Sequence, residues 1–243
     1  MGFVRSVLFN ITFGVLTLVM AIAGLPLFLG PRPWMDFYGR FWAKACLWLL
    51  KNIVGLDYET RGTIPKGACL IAAKHQSAWE TLALAVLLPD STFVLKRILL
   101  WTPPFGPYMA KVGMIPIDRD GGTTTVRKML VAARATMAAN RPIVIFPEGT
   151  RRAPGASPAY YPGVAALYRD LRAPVTPVAV NSGLYWQRNA FTKRQGTVIL
   201  EFLETIPPGM DRKSFMRQLE NSIETATIRL VEEGEQDSRV IGQ

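Results

Sequence analysis

The sequence holds one histidine and two cysteines in 243 residues. A single imidazole, with no Cys/His cluster at ligand spacing, leaves no case for a zinc site. Cys46 and Cys69 both lie in apolar stretches and supply no disulfide framework, which points to a reducing, cytosol-facing body. Charge is missing as well: from Val7 to Gly30 there is no Asp, Glu, Lys or Arg, 24 residues in a row. That run is enough for a helix of roughly 30 Å or more. No internal repeat or low-complexity linker is visible. Without a helix-turn-helix, an RNA-binding aromatic motif or a zinc module, no nucleic-acid partner is expected. The length suits one large domain and is short for two.

What is present is basic and unevenly spread. The formal net charge is +10; residues 61–200 carry 18 Lys and Arg against 6 Asp and Glu, and residues 201–243 carry 5 against 9. A basic middle suits an anionic substrate or an anionic membrane surface. Arg5 and Arg32 flank the uncharged run and Pro26 interrupts it. After it, Trp34, Phe37, Tyr38, Phe41, Trp42, Ala45, Trp48 and Leu49 recur at helical spacing, with Asp36, Arg40, Lys44 and Lys51 interleaved. Aromatic stripes beside basic residues favour the headgroup boundary of a bilayer. Residues 1–54 are therefore read as membrane-anchoring helices, a hairpin dipped into one leaflet, and residues 55–243 as an α/β domain. A secretory signal cleaved near Ala21-Ile22-Ala23 is the competing reading, although Leu25-Pro26-Leu27-Phe28-Leu29 continues apolar past that point.

Beyond Gly55, short apolar runs alternate with longer helical stretches. Residues 56–61, 68–73, 92–95, 113–117, 143–146, 175–180 and 197–202 read as strands; 81–88, 123–139, 162–170 and 212–233 read as helices. Alternation of this kind predicts a mostly parallel sheet covered by helices on both faces. Residues 232–243 are charged and read as a frayed end.

The one histidine, His75, ends an apolar run and precedes a helix, five positions before Glu80. It lies where open α/β sheets place their ligands. A carboxylate accepting from one ring nitrogen fixes the tautomer and leaves the other nitrogen free to take a proton. A chance histidine at a strand end remains the plain alternative. Three further apolar runs end in charge or turn residues: Gly113 to Asp118-Arg119, Phe146-Pro147-Glu148-Gly149-Thr150-Arg151, and the proline-entered strand from Val175. Strand ends of a parallel sheet share one rim, so His75, Glu80, Arg119, Glu148 and Arg151 can face one crevice, where paired arginines would grip a phosphate.

In order and form, these blocks resemble the glycerolipid acyltransferase family from about Leu56 to Glu204, and the Phe-Pro-Glu-Gly-Thr-Arg block carries the resemblance most specifically. Lys96, followed by Pro103 and Gly106, looks like that family's lysine-proline-glycine segment. The amino-terminal helices look like its membrane-dipping pair. The sequence departs from the family at Glu80, where aspartate is usual, and at Lys74, where asparagine is common.

The resemblance implies a glycerol-3-phosphate acyltransferase-like fold. It also implies transfer of an acyl group from acyl-carrier protein or acyl-CoA to the 2-hydroxyl of lysophosphatidic acid, giving phosphatidic acid. His75 would be the general base and Glu80 its support. Arg119, Arg151 and Lys96 would hold the acceptor phosphate. Glu148, Gly149 and Thr150 would shape the acceptor site, with a turn amide near Gly149 at the oxyanion. No cofactor beyond the donor thioester is implied. The location implied is the cytoplasmic side of the inner membrane. Another lysolipid acceptor, such as a lyso-ornithine lipid, or a non-catalytic lipid-binding role, stays open at this point.

Overall fold

A computed structural model describes residues 2–118, 122–156 and 159–241, with residues 237–241 as backbone alone. The chain opens with α1 (Gly2–Ala23), a 3-10 turn over Leu25–Leu29, and α2 (Arg32–Leu49), which a π turn over Leu50–Val54 extends. Pro26 sits in the first turn of the 3-10 segment, where no intrahelical donor is lost. Strands and helices then alternate: β1 (Leu56–Arg61), β2 (Leu70–Ala73), α3 (Trp79–Leu87), β3 (Thr92–Lys96), α4 (Phe105–Val112), β4 (Ile115–Ile117), α5 (Gly122–Ala138), β5 (Ile143–Ile145), α6 (Gly163–Leu171), β6 (Val175–Val180), β7 (Gly196–Phe202) and α7 (Arg212–Ile241).

Among the described residues the strands form one seven-stranded sheet in the order β1-β7-β6-β2-β5-β3-β4. Every pairing is parallel except β6 with β7. The expected fold class is therefore the observed one. β2 lies between β5 and β6, and all four of its side chains are buried, as an interior parallel strand requires. Its alternation feeds two cores. Ile71 and Ala73 join Phe9, Ala43, Cys46, Trp79 and Leu84 on the α1–α3 side. Leu70 and Ala72 join Met129, Val164, Leu167, Phe215 and Leu219 on the α5–α7 side.

Two elements differ from the sequence reading. Helix α4 lies between residues 96 and 112, a stretch the sequence reading assigned to no element; Pro107 falls in its first turn, which needs no amide donor. Gly106 permits that helix to start, because a Cβ there would sit 2.1 Å from the Leu100 carbonyl oxygen. Helix α7 also continues to Ile241 rather than ending near residue 233.

Residues 2–54 share the core of the α/β body. Phe9 is fully buried edge-on to Trp186, with ring centroids 5.8 Å apart, a contribution of about 1.5–3 kcal/mol from burial alone. Ser6 Oγ accepts from the Lys193 amide at 2.9 Å, and Asn10 donates to the Phe191 carbonyl at 3.1 Å. At the start of α2, Arg32 pairs with Asp90, which also accepts from Arg141 Nε at 3.0 Å. The opposite face of the hairpin is apolar and exposed: Leu8, Ile11, Val15, Leu18 and Ile22 on α1, and Trp34, Phe37, Phe41 and Trp48 on α2. By length and composition α1 is apolar enough to cross a membrane.

Candidate active site

His75 leaves the end of β2 in the loop that turns into α3, so its position is set by the middle of the sheet. Glu80 stands in the first turn of α3, where the helix dipole favours an anion. Its Oε1 lies 2.8 Å from His75 Nδ1 and accepts the Gln76 and Ser77 amides at 2.7 Å each; Oε2 accepts from Ser182 Oγ at 2.7 Å. An oxygen already taking two N–H groups accepts from the ring as well, so Nδ1 carries the proton and Nε2 is the free base. The Phe146 ring stacks on the imidazole with centroids 4.0 Å apart and planes 19° off parallel, which fixes the ring plane. Glu80 is fully buried and His75 is partly open.

Glu148 lies behind the dyad. It is fully buried, its Oε1 accepts the His75 amide at 2.9 Å, and it is not among the residues lining the cavity described next. Burial pushes its carboxyl up to about 7, against the pull of the Lys74 ammonium. The Gly149 amide bonds to the Phe146 carbonyl at 2.9 Å, in a turn where Gly149 has φ +64. The Gly149 amide itself is therefore engaged within the turn.

His75 opens onto a cavity of about 780 Å³. One part of its wall is polar and basic: Lys96, Thr150, Arg151 and Arg188, with Asp118 and Gly149. Arg151 is held by Asn189 Oδ1 at 3.4 Å. The remainder is mainly apolar, from Met35, Trp42 and Ala43 of α2, Leu82 and Ala85 of α3, and Phe105, Met109 and Val112 around α4. Arg119 lies outside the described residues. His75, Lys96, Gly149, Thr150 and Arg151 thus share one cavity, with Glu80 directly behind His75. Sequence reasoning missed Ser182, Phe146 and Arg188. Phe146 belongs to a block already singled out, whereas nothing in the sequence ties Ser182 or Arg188 to His75.

The site thus brings together an imidazole bonded to a buried carboxylate, basic side chains and an apolar lining. The model of the family described as Acyltransferase matches residues 55–181. The chain is 33% identical over 201 residues to 1-acyl-sn-glycerol-3-phosphate acyltransferase of Pseudomonas aeruginosa, covering 80% of this chain and 77% of that one. It is 27% identical to the Helicobacter pylori protein of the same name, covering 71% of this chain and 74% of that one. The crystal structure of the 1-acyl-sn-glycerophosphate (LPA) acyltransferase PlsC from Thermotoga maritima superposes with a TM-score of 0.73 over 95% of this chain and 99% of that chain, at 18% identity, a likeness of fold. The chain belongs to the acyltransferase family, and it is an acyltransferase.

Proposed function

We propose that the protein transfers an acyl group from a thioester to the sn-2 hydroxyl of 1-acyl-glycerol 3-phosphate, giving phosphatidic acid. The observation that carries this reading is the His75 Nδ1 to Glu80 contact of 2.8 Å at the mouth of a cavity with cationic and apolar walls. His75 Nε2 takes the hydroxyl proton as that oxygen attacks the thioester carbonyl. The Glu80 carboxylate faces the imidazolium that forms and lowers its energy. Collapse of the tetrahedral intermediate expels the thiolate, which recovers the proton from His75 Nε2, so a thiol leaves and an ester remains. No serine or cysteine nucleophile is required.

Arg151 and Lys96 hold the acceptor phosphate, with Arg119 of the sequence motif as a third cation and Gly149 and Thr150 as the adjoining wall. Glu148 acts through the His75 backbone. The donor is acyl-carrier protein or acyl-CoA, either of which is acidic and drawn to the basic rim. The exposed apolar faces of α1 and α2 support a seat in an anionic membrane surface, and the cytoplasmic side of the inner membrane is the location this reading takes for the body.

The test is thiol release from palmitoyl or oleoyl thioesters by detergent-purified protein, with lysophosphatidic acid, lyso-ornithine lipid and glycerol 3-phosphate offered in parallel. Release that requires lysophosphatidic acid and is lost in His75→Ala is expected. Release with only another acceptor would reassign the substrate, and silence with all three would leave a lipid-binding protein.

A further inference from the structure

Lys74 is a lysine in the interior, 2% exposed, one residue before the catalytic-base candidate. An ammonium taken out of water persists when it is paired. Its partner is Glu224 of α7, 150 residues away, which accepts with both oxygens at 2.8 Å. Tyr160 donates to the same Glu224 at 2.7 Å. The pair has a third member: Lys74 Nζ is 3.5 Å from Glu148 Oε1, the oxygen that accepts the His75 amide. The other Glu148 oxygen is buried with no hydrogen-bond partner among the described residues.

We propose that Lys74 and Glu224 are positioning residues: together they govern the charge of Glu148 as acceptor of the His75 backbone N–H, so that helix α7 helps set the placement of the dyad. The inference rests on the reading of His75 as general base. The charged groups acting on Glu148 are Lys74, just past the end of β2, and Glu224 from α7, while the His75 backbone N–H donates to it. Tyr160 bonds the same Glu224, and Glu220, also on α7, acts on Tyr160. Burial and Glu224 push Glu148 up to about 7 while Lys74 pulls it down, so its charge is divided near neutrality.

The two variants therefore act in opposite directions. Lys74→Met removes the pull, Glu148 stays protonated to higher pH, and the acid limb of kcat/KM moves up by on the order of one pH unit. Glu224→Gln removes the repulsion and leaves Lys74 to Glu148, and the acid limb moves down. Lys74→Arg keeps the limb near its wild-type place. The pH profiles of these proteins, each checked for folding by its melting curve, decide the matter; if Lys74→Met does not fold, Glu224→Gln and Lys74→Arg carry the test. Uniform losses without displacement, or displacement in one direction for both charge-removing variants, would overturn the proposal. A wild type without His75-dependent thiol release would instead overturn the functional reading.

Discussion

Replacing Glu80 by glutamine should leave the fold and remove most of the rate. The amide oxygen can take the place of Oε1, keeping the bonds from the Gln76 and Ser77 amides, while the amide nitrogen meets Ser182 Oγ, whose hydroxyl can turn from donor to acceptor. What disappears is the negative charge beside the imidazolium of the transition state. With charge centres roughly 4 Å apart and an effective dielectric of about 20, Coulomb's law gives about 4 kcal/mol, or roughly three decades in rate. The burial of Glu80 and the near-burial of His75 support that dielectric over the value for water. Thiol release at saturating donor and acceptor measures kcat, and a melting curve checks the fold. A fall of about a thousandfold in kcat, with both KM values changed only a few-fold, is expected; a fall of less than tenfold in well-folded protein would refute the role of the carboxylate. Glu80→Asp keeps the charge but withdraws it by about 1.5 Å, one carbon–carbon bond, so it should retain more of the rate than glutamine.

Arg151→Ala removes a charged donor to the acceptor phosphate, about 1.5–3 kcal/mol. The acceptor KM should rise roughly 10- to 150-fold with the donor KM little changed, and equal rises in both would count against a phosphate role. Ala85→Phe narrows the apolar part of the cavity from α3 and should shift the preferred acyl thioester toward shorter chains; an unchanged chain-length profile would mean that the acyl group lies elsewhere. Burial pushes the Lys193 ammonium down to about 8, from 10.5. Between those values the unfolded chain binds more protons than the folded one, so stability rises with pH, and below pH 8 the cost of burying the charge is fully present. The melting temperature of wild type minus that of Lys193→Met should therefore increase from pH 7.5 to pH 9.5, and a flat difference would rule out this titration.

The strands were legible because interior parallel strands are short apolar runs between turns: all seven lie within a residue or two of where Leu70, Ile143 or Val175 and their neighbours place them. Helix α4 was hidden because prolines read as breakers wherever they stand, while a first-turn proline costs a helix nothing. The place of His75 followed from its position after a strand. The orientation of Glu148 did not follow, because motif spacing locates a residue on the rim without saying which way its side chain turns. Arg188 and Ser182 enter from the β6–β7 connection, joined to His75 only by the long-range order of the sheet. The apolar stripes of residues 1–54 carried two meanings at once: Phe9, Ala43, Cys46 and Leu50 cover the sheet, while Leu8, Phe37 and Phe41 on the same helices face outward.

The contacts that fasten α1 to the body also impose an order of events during synthesis. Asn10 and Phe191 are 181 residues apart in the chain, and Arg5 and Gln195 are 190 apart. At about 5–20 residues per second, the hairpin leaves the ribosome roughly 10–40 s before the loop that will hold it exists. During that interval Phe9 and the other inward side chains lack the protein that will cover them. The central strand β2 waits as well, since its neighbours β5 and β6 come later. The sheet thus closes onto helices whose synthesis ended well before its own.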